Sequence, residues 1–270
     1  MRLSAADVAR ITGGKVLKGD PARTAKGVST DSRELQKGDG FVALEGERFD
    51  GHSFVPLAAE NGAAWTLVAK KYDPAKVKAG CAVIAAGDTL KALGDIAAAH
   101  RKAHDVKVAA ITGSVGKSTV KEMTALVLAA KGKVLRNKGN FNNRVGLPLT
   151  LFRLDRSHRY LVAEMGCNMP GEIAELARVA APDAGAITRV APAHLEGLGS
   201  IEGVAKAKAD VISGLAPDGT FALNLDDPLV AKHAKKHKGN VVAWSADPAA
   251  TFDGELVRLE SVEKDVLGGR

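Results

Sequence analysis

A short glycine-containing segment carries the clearest chemical signal in the sequence. Residues 111–119 (ITGSVGKST) follow an apolar run and precede a helical pattern. Glycines let the backbone turn its N–H groups inward, and the start of a helix attracts anions. A lysine can neutralise the charge of phosphates, and a serine hydroxyl can bind Mg²⁺. Gly113 lies only three residues before Gly116, so the segment is shorter than the full phosphate-loop pattern, and an ordinary strand-to-helix turn is the alternative. We predict a nucleotide-binding loop formed by Thr112, Gly113, Ser114, Val115, Gly116, Lys117, Ser118 and Thr119.

Other polar side chains follow predicted strands. Glu164 comes directly after the predicted strand 160–163, and a carboxylate at the end of a parallel strand points into the ligand crevice of the sheet. Oxygen ligands suit Mg²⁺, whereas a solvated loop glutamate is the alternative. His194 follows the predicted strand 186–190, and a lone histidine is more often structural. For Lys206 and Lys208, on the next predicted helix, a solvated helix face is the simplest interpretation.

Four asparagines crowd the loop over residues 136–146: Asn137, Asn140, Asn142 and Asn143. Asparagine side chains either stabilise turns or form hydrogen bonds with a polar ligand. Both interpretations remain open from the sequence alone.

Strand and helix patterns predict two α/β regions. In the first, a short helix begins after Ser4 and ends at Gly13, and strands are predicted at 41–44, 65–68 and 81–85 with a helix over 52–61. From residue 106 onward, apolar strands alternate with helices, which is typical of a parallel sheet with right-handed crossovers. We predict a small α/β N-terminal domain over residues 1–88, followed by a P-loop-type parallel-sheet ATPase domain over residues 89–270, with a further β region beginning near residue 251.

The composition excludes several protein classes. Apolar residues make up 46% and charged residues 26%, as in ordinary globular proteins, and no apolar run approaches the ~20 residues of a membrane span. Two cysteines are too few for a disulfide framework and favour a reducing cytoplasm. The net charge of +7 comes with only 4% aromatic residues, so we expect anionic small substrates rather than nucleic acid or a membrane as partners.

The residues around these motifs resemble the Mur ligase family, whose ATP loop has the same shortened TGxxGK[ST] form as residues 112–119. Further blocks are similar to the branch of the family that joins D-alanyl-D-alanine to UDP-N-acetylmuramoyl-tripeptide. These blocks are KGNFNN (138–143), EMG (164–166), HLEGLGS (194–200), GVAKAK (203–208), STDSR (29–33) and FVALEGERFD (41–50). The resemblance covers nearly the whole chain.

The resemblance implies a mechanism and a set of ligands, with ATP and Mg²⁺ as cofactors. ATP would phosphorylate the terminal carboxylate of the tripeptide, and the amine of D-alanyl-D-alanine would attack the acyl phosphate. Lys117, His194 and Lys208 would be catalytic. Ser118 and Glu164 would hold one Mg²⁺, whereas His194 and Lys208, which aligns with a lysine that can be carbamylated, would hold a second. Asn224 aligns with a region near the adenine.

The resemblance also assigns the UDP-muramoyl-peptide to the first domain. The implied substrate-binding residues are Ser29, Thr30, Asp31, Ser32, Arg33, Gly46, Arg48 and Asp50, together with Asn140, Asn142 and Asn143 of the asparagine-rich loop. We expect a monomer.

Family members carry a third, C-terminal domain that binds the amino substrate, and the sequence to Arg270 contains no such region. We therefore expect a fragment that binds ligands without completing ligation. The alternatives are another Mur-type ligase that adds an amino acid to a UDP-muramoyl peptide, a folylpolyglutamate synthetase relative, and a nucleotide-binding protein without catalysis. The asparagine-rich loop and the His-Leu-Glu-Gly block favour the D-alanyl-D-alanine branch.

Overall fold

The first part of the chain alternates short strands with helices. The computed structural model describes residues 2–46, 49–78, 80–235 and 237–259. A 3₁₀ helix over Gly51–Phe54 directly precedes the α-helix Val55–Glu60, so the predicted helix over 52–61 begins as a tighter turn. The elements up to residue 102 are β1 (Leu3–Ser4), α1 (Ala5–Thr12), β2 (Lys15–Lys18), β3 (Thr24–Ala25), β4 (Val28–Ser29), β5 (Gly40–Val42), α2 (Val55–Glu60), β6 (Trp65–Ala69), β7 (Ala82–Ala86) and α3 (Thr89–Lys102).

The second part continues the alternation of strand and helix. Within the described ranges, no helix is long and apolar enough to cross a membrane. The elements are β8 (Lys107–Thr112), α4 (Lys117–Ala129), β9 (Lys133–Arg136), α5 (Gly146–Leu151), β10 (His158–Glu164), α6 (Glu172–Ala180), β11 (Ala184–Ile187), α7 (Leu195–Leu198), α8 (Ile201–Ser213), β12 (Thr220–Asn224), α9 (Pro228–Ala234), β13 (Asn240–Ser245) and β14 (Glu255–Arg258).

These elements form two compact units. Unit 1 contains residues 1–105 and 144–156, and unit 2 contains residues 106–143 and 157–270. The predicted boundary lies between residues 88 and 89, whereas the first segment of unit 1 extends to residue 105. The difference arises because α3 packs against α1 and α5 inside unit 1. Leu93 and Ile96 of α3 belong to the core of that unit, with Phe152 packed against it. The assignment of a ligand to each domain stays a prediction.

Unit 1 is built on a mixed sheet. The strand order is β2-β7-β6-β5-β4, in which β2 runs antiparallel to β7 and the other pairs are parallel. The predicted cap of α1 is confirmed, since the Ser4 side chain accepts from the N–H of Asp7, the Asp7 side chain accepts from Ser4, and Gly13 ends the helix with a φ of 60°. Such a reciprocal box satisfies two otherwise unpaired N–H groups.

Unit 2 contains the predicted parallel sheet. Its strand order is β14-β13-β12-β11-β8-β10-β9, and all neighbouring strands are parallel. The register pairs Ile111 with Glu164 and Thr112 with Ile187, so the carboxyl ends of β8, β10 and β11 meet at one edge. A parallel sheet binds its ligands at that edge. β14 lies in the predicted β region after residue 251, whereas residues 260–270 lie outside the described residues.

The strand predicted at 186–190 is shifted toward the N-terminus. β11 covers Ala184–Ile187, and its continuation leaves the sheet because the N–H of Val190 donates to Asp227 Oδ2 over 2.7 Å. Asp227 Oδ1 meanwhile accepts from the N–H of Leu229 at the start of α9. One carboxylate therefore ends the strand and begins the helix, a long-range pairing that local patterns do not show.

A buried histidine gives unit 1 a pH-dependent stability. His100 Nε2 lies 3.2 Å from the carbonyl oxygen of Leu154, and burial, assisted by the neighbouring His104, lowers the pKa of His100 from 6.5 to about 4. The unfolded chain therefore takes up a proton below about pH 6.5 that the folded unit does not accept until about pH 4. We expect this contribution to be fully present above pH 6.5 and to fall by up to about 3 kcal/mol as the pH drops toward 4.

Urea unfolding of the wild type and of His100→Gln across this range measures the effect. The glutamine variant keeps a hydrogen-bond donor but no titrating group, so its free energy of unfolding should depend less steeply on pH. His194→Asn is the matched control, because it removes an exposed histidine and so separates the effect of the buried imidazole from that of losing any histidine. Equal slopes in the wild type and His100→Gln would contradict the assignment.

Candidate functional site

The predicted nucleotide loop connects β8 to α4 at the ligand-binding edge of the sheet in unit 2. Gly113 has a φ of 145° and Gly116 a φ of 85°, and Gly116 directly precedes α4. A Cβ at Gly113 would come within 1.9 Å of Thr188 Oγ1. The loop therefore requires glycine at position 113 both for its backbone angles and for its close approach to the neighbouring strand.

Two hydroxyl side chains fasten this loop to the chain after β11. Thr188 Oγ1 donates to the carbonyl of Val115 over 2.6 Å and lies 3.2 Å from that of Thr112. Ser114 Oγ donates to the carbonyl of Ala191 and accepts from its N–H. Thr188 was not among the residues predicted from the sequence, although a hydroxyl side chain at the end of a central strand is a signal for such a role.

Lys117 is the first residue of α4. Its Nζ donates to the carbonyl oxygens of Gly113 at 2.9 Å and Ser114 at 3.4 Å, so the ammonium is held over the loop. Its position beside the N-terminus of α4 concentrates positive charge at one place. This arrangement can bind a phosphate group.

Glu164 lies at the end of β10 and is buried, with 2% of its surface exposed. The interpretation as a solvated loop glutamate is therefore wrong. Ser118 Oγ donates to Glu164 Oε2 and Asn142 Nδ2 donates to Glu164 Oε1, each over 2.8 Å. The predicted residues Ser118, Glu164 and Asn142 thus come together.

The asparagine-rich loop is built around Asn137. Its side chain accepts from the N–H of Glu164 and donates to the carbonyls of Glu164 and Phe141. Asn137 is fully buried, so it stabilises the turn, whereas Asn142 orients a carboxylate. For Asn140, Asn142 and Asn143, contact with a substrate stays a prediction.

His194 and Lys208 differ in burial. His194 is exposed and begins α7 with a φ of 52°, and no contact among the described residues joins its imidazole to Glu164 or Ser118. Lys208, on α8, is only 2% exposed, so the solvated-face interpretation is wrong for this residue and holds for the exposed Lys206. Burial lowers the pKa of Lys208; Cys167 opposes this shift and Lys117 adds to it.

Asn224 ends β12, and its side chain forms hydrogen bonds with backbone groups. Its Nδ2 donates to the carbonyl of Thr188 over 2.7 Å, and its Oδ1 accepts from the N–H of Asp226. The amide therefore connects two strand ends beside the loop. Its predicted role near the adenine stays a prediction.

A cavity of about 540 Å³ lies beside the loop in unit 2. It is lined by residues of β8, β11 and β12, including Ala109, Ala184 and Ala222, and by Val115 and Thr124 of the loop and α4. The surface of this cavity is apolar, so the groups that can contact a phosphate are those of the loop and Lys117.

The possible metal ligands at this edge of the sheet are oxygen atoms. The described residues contain no group of three or more histidines, cysteines, aspartates or glutamates placed to hold a metal. Mg²⁺ commonly binds through one or two protein oxygens together with substrate phosphates and water. The adjacent oxygens of Ser118 and Glu164, beside a phosphate-binding loop, fit that form of site.

Unit 1 brings part of the second predicted site together. A cavity of about 480 Å³ is lined by Thr30, Asp31, Ser32, Arg33, Phe41, Leu44, Phe49, Gly51, Phe54 and Leu57. Arg33 pairs with Asp31 at 2.6 Å, and its hydrogen bonds lower the pKa of Asp31 to about 2. The aromatic side chain of Phe49 is 73% exposed and was missed by the sequence analysis, although an exposed ring beside a polar loop is a signal for stacking.

The other substrate residues predicted in the first domain are Ser29, Gly46, Arg48 and Asp50. The Ser29 hydroxyl bonds within the turn, to the backbone of Asp31. Gly46 has no side chain to contribute. Its N–H donates to the carbonyl of Phe49 and closes the loop. Asp50 accepts from His52 Nδ1 over 2.6 Å and lines a neighbouring cavity. Arg48 lies outside the described residues.

Comparison with protein families matches both parts of the chain. The Mur ligase middle domain matches residues 111–267, and the catalytic domain of the Mur ligase family matches residues 24–101. The middle-domain match includes the loop, Glu164 and Lys208.

Individual proteins agree with the family matches. UDP-N-acetylmuramoyl-tripeptide–D-alanyl-D-alanine ligase of Escherichia coli is 43% identical over 204 residues, which cover 76% of this chain and 44% of that protein. The chain spans about half the length of the curated relatives it matches.

Solved structures show the same fold. A crystal structure of MurF from Acinetobacter baumannii superposes with a TM-score of 0.87 at 30% identity, covering 100% of this chain and 60% of that one. The MurF ligase of Thermotoga maritima, solved in complex with ADP, superposes with a TM-score of 0.74 at 30% identity, covering 82% of this chain and 50% of that one.

Proposed function

Because the chain belongs to the Mur ligase family, we propose that it supplies the nucleotide-binding and acyl-substrate-binding parts of an ATP-dependent ligase of peptidoglycan precursor synthesis. That ligase joins D-alanyl-D-alanine to UDP-N-acetylmuramoyl-tripeptide. The observation that carries the proposal is the loop over residues 113–116, placed beside Lys117 and the buried Glu164. The 43% identity to the E. coli ligase of that name supports the choice of branch.

In this reaction the terminal carboxylate of the tripeptide attacks the γ-phosphate of ATP, and the products are an acyl phosphate and ADP. The amine of D-alanyl-D-alanine then adds to the acyl carbon, and phosphate leaves as the amide forms. Phosphoryl transfer of this kind depends mainly on positioning and charge stabilisation. Lys117 and the N–H groups of the loop supply both at the phosphates.

Ser118 and Glu164 would hold Mg²⁺, which when bound would offset the charge of the phosphates. His194 and Lys208 are proposed to contribute to a second metal position. The burial that lowers the pKa of Lys208 favours the uncharged amine that carbamylation requires. Asn142 keeps Glu164 oriented toward Ser118.

Unit 1 is proposed to bind the UDP-muramoyl part of the substrate in the cavity beside Arg33. The exposed ring of Phe49 and the side chain of Phe54 offer a stacking surface for a base. The Arg33–Asp31 pair and the polar residues 29–33 offer groups for hydrogen bonds with the sugar and diphosphate. The cytoplasm, which contains ATP and nucleotide-linked precursors, is the proposed location, and the proposed state is a monomer.

A ligand titration of this chain by thermal unfolding tests the proposal. We expect Mg-ADP and UDP-N-acetylmuramoyl-tripeptide each to raise the melting temperature, because a ligand at about 100 times its dissociation constant stabilises the folded state by about 2.7 kcal/mol. UDP-N-acetylmuramic acid without the peptide should give a smaller shift.

Arg33→Ala separates the two sites. This variant should lose the response to the tripeptide nucleotide and keep the response to Mg-ADP, whereas Lys117→Ala should do the reverse. A wild-type chain that responds to neither ligand would refute the proposed function. A response to Mg-ADP alone would favour another amide ligase.

A further inference from the structure

A buried lysine stands behind the nucleotide loop, and the proposed function does not use it. Lys121 has only 3% of its surface exposed, although it lies on α4 one turn after Lys117. Residues three or four apart share one face of a helix, so Lys121 and Ser118 point toward the same partner. That partner is Glu164.

The ammonium of Lys121 contacts three oxygens. Its Nζ lies 3.6 Å from Glu164 Oε2 and 3.2 Å from Glu122 Oε1, and it donates to the carbonyl of Asn137 over 3.2 Å. Glu164 is as buried as the lysine, whereas the side chain of Glu122 is half exposed. Among these contacts, the one with Glu164 is therefore the least screened by solvent.

Lys121 contacts both Glu164 and Asn137, the residue that holds the backbone of Glu164. The carbonyl that it contacts belongs to Asn137, whose side chain holds the backbone of Glu164 on both its N–H and its carbonyl. One ammonium therefore fixes the carboxylate directly and the backbone of the same residue through Asn137. Deleting one member of a buried charge pair leaves the other uncompensated.

We propose that Lys121 is a positioning residue of the nucleotide site: it holds Glu164 in place to receive the Mg²⁺ that arrives with ATP. This inference rests on the proposed nucleotide site and deepens it. Lys121 is only 3% exposed and its ammonium contacts oxygens of the chain itself, so it acts through Glu164. The partners that orient a metal ligand typically change metal affinity by about 10–100-fold when they are removed.

The test measures the affinity for ADP by calorimetry with Mg²⁺ and with EDTA, which separates metal-dependent from metal-independent binding. Lys121→Met should reduce the Mg²⁺-dependent gain in ADP affinity by about 10-fold or more and leave the affinity in EDTA unchanged. Lys131→Met is the matched control, because it removes the same charge from an exposed lysine just beyond α4. It should behave as the wild type.

A double-mutant cycle with Glu164→Gln shows whether Lys121 acts through the carboxylate. In the Glu164→Gln background, Lys121→Met should have no further effect on the Mg²⁺-dependent gain. The double variant should also melt at a higher temperature than Lys121→Met alone, since it removes the uncompensated charge. This second readout decides the question if Lys121→Met is too unstable for calorimetry.

The outcomes separate the inference from the proposed function. A wild type that does not bind Mg-ADP overturns the proposed nucleotide site and this inference with it. A wild type that binds Mg-ADP, with Lys121→Met showing the full Mg²⁺-dependent gain, overturns the inference alone. Two further results overturn the inference. One is an equal effect of Lys121→Met on the Mg²⁺-dependent gain in the wild-type and Glu164→Gln backgrounds. The other is a double variant that melts no higher than Lys121→Met alone.

Discussion

Replacing Lys117 with alanine is expected to lower the affinity of this chain for Mg-ATP by about 10- to 100-fold. The ammonium lies over the loop, on the carbonyls of Gly113 and Ser114, where it can turn to a phosphate without leaving the site. A hydrogen bond to a charged group contributes about 1.5–3 kcal/mol, and this one acts beside the positive end of α4. Calorimetric titration with ATP and ADP measures the loss.

The melting temperature of Lys117→Ala should stay close to that of the wild type, because Lys117 is half-buried and its partners are backbone carbonyls rather than charged groups. Lys131→Ala, which removes an exposed lysine, serves as the matched control and should bind ATP normally. Undiminished ATP binding by a folded Lys117→Ala chain would show that phosphates bind elsewhere.

The second large effect is expected from Gly113→Ala. The added Cβ would lie 1.9 Å from Thr188 Oγ1 and 3.1 Å from the backbone nitrogen of Thr188, and the φ of 145° is unfavourable for any residue with a Cβ. Strained backbone and forced overlap each cost about 1–3 kcal/mol. We expect the free energy of unfolding to fall by about 3 kcal/mol or more and ATP binding to be lost.

Gly139→Ala is the control for the backbone effect alone. Gly139 has a φ of 50°, and a Cβ there would meet nothing within 4 Å, so the expected cost is about 1 kcal/mol. Gly113→Ala combined with Thr188→Ala should recover part of the lost stability, since the nearest atom is removed. Equal urea midpoints for Gly113→Ala and Gly139→Ala would contradict the steric account.

Elements with local signals were predictable from the sequence. The start and end of α1 follow from Ser4, Asp7 and Gly13, whose contacts lie within one helix, and the alternation after residue 106 indicates the parallel sheet. β2 was missed, because it is half exposed and its pairing with β7 spans most of unit 1. α5 was also missed, and it carries a proline in its interior.

The same distinction holds for the site. The loop and Glu164 were predictable, because a phosphate loop and the end of a parallel strand each have a recognisable place in the chain. The burial of Lys208 was not, since the helix face that packs inward depends on α6 and α9, which lie far along the chain. Lys121 was missed for a similar reason: a lysine in a helix looks solvated until its distant partner is known.

The hydroxyls of Thr188 and Ser114 have a consequence for the thermodynamics of ligand binding. They fasten the loop to the backbone after β11 through contacts within the chain itself, so the loop residues lose their conformational entropy at folding. A ligand therefore meets a rigid receptor and pays little to order it. Association should then be governed by diffusion and by the attraction of phosphates to Lys117, rather than by a slow rearrangement of the polypeptide.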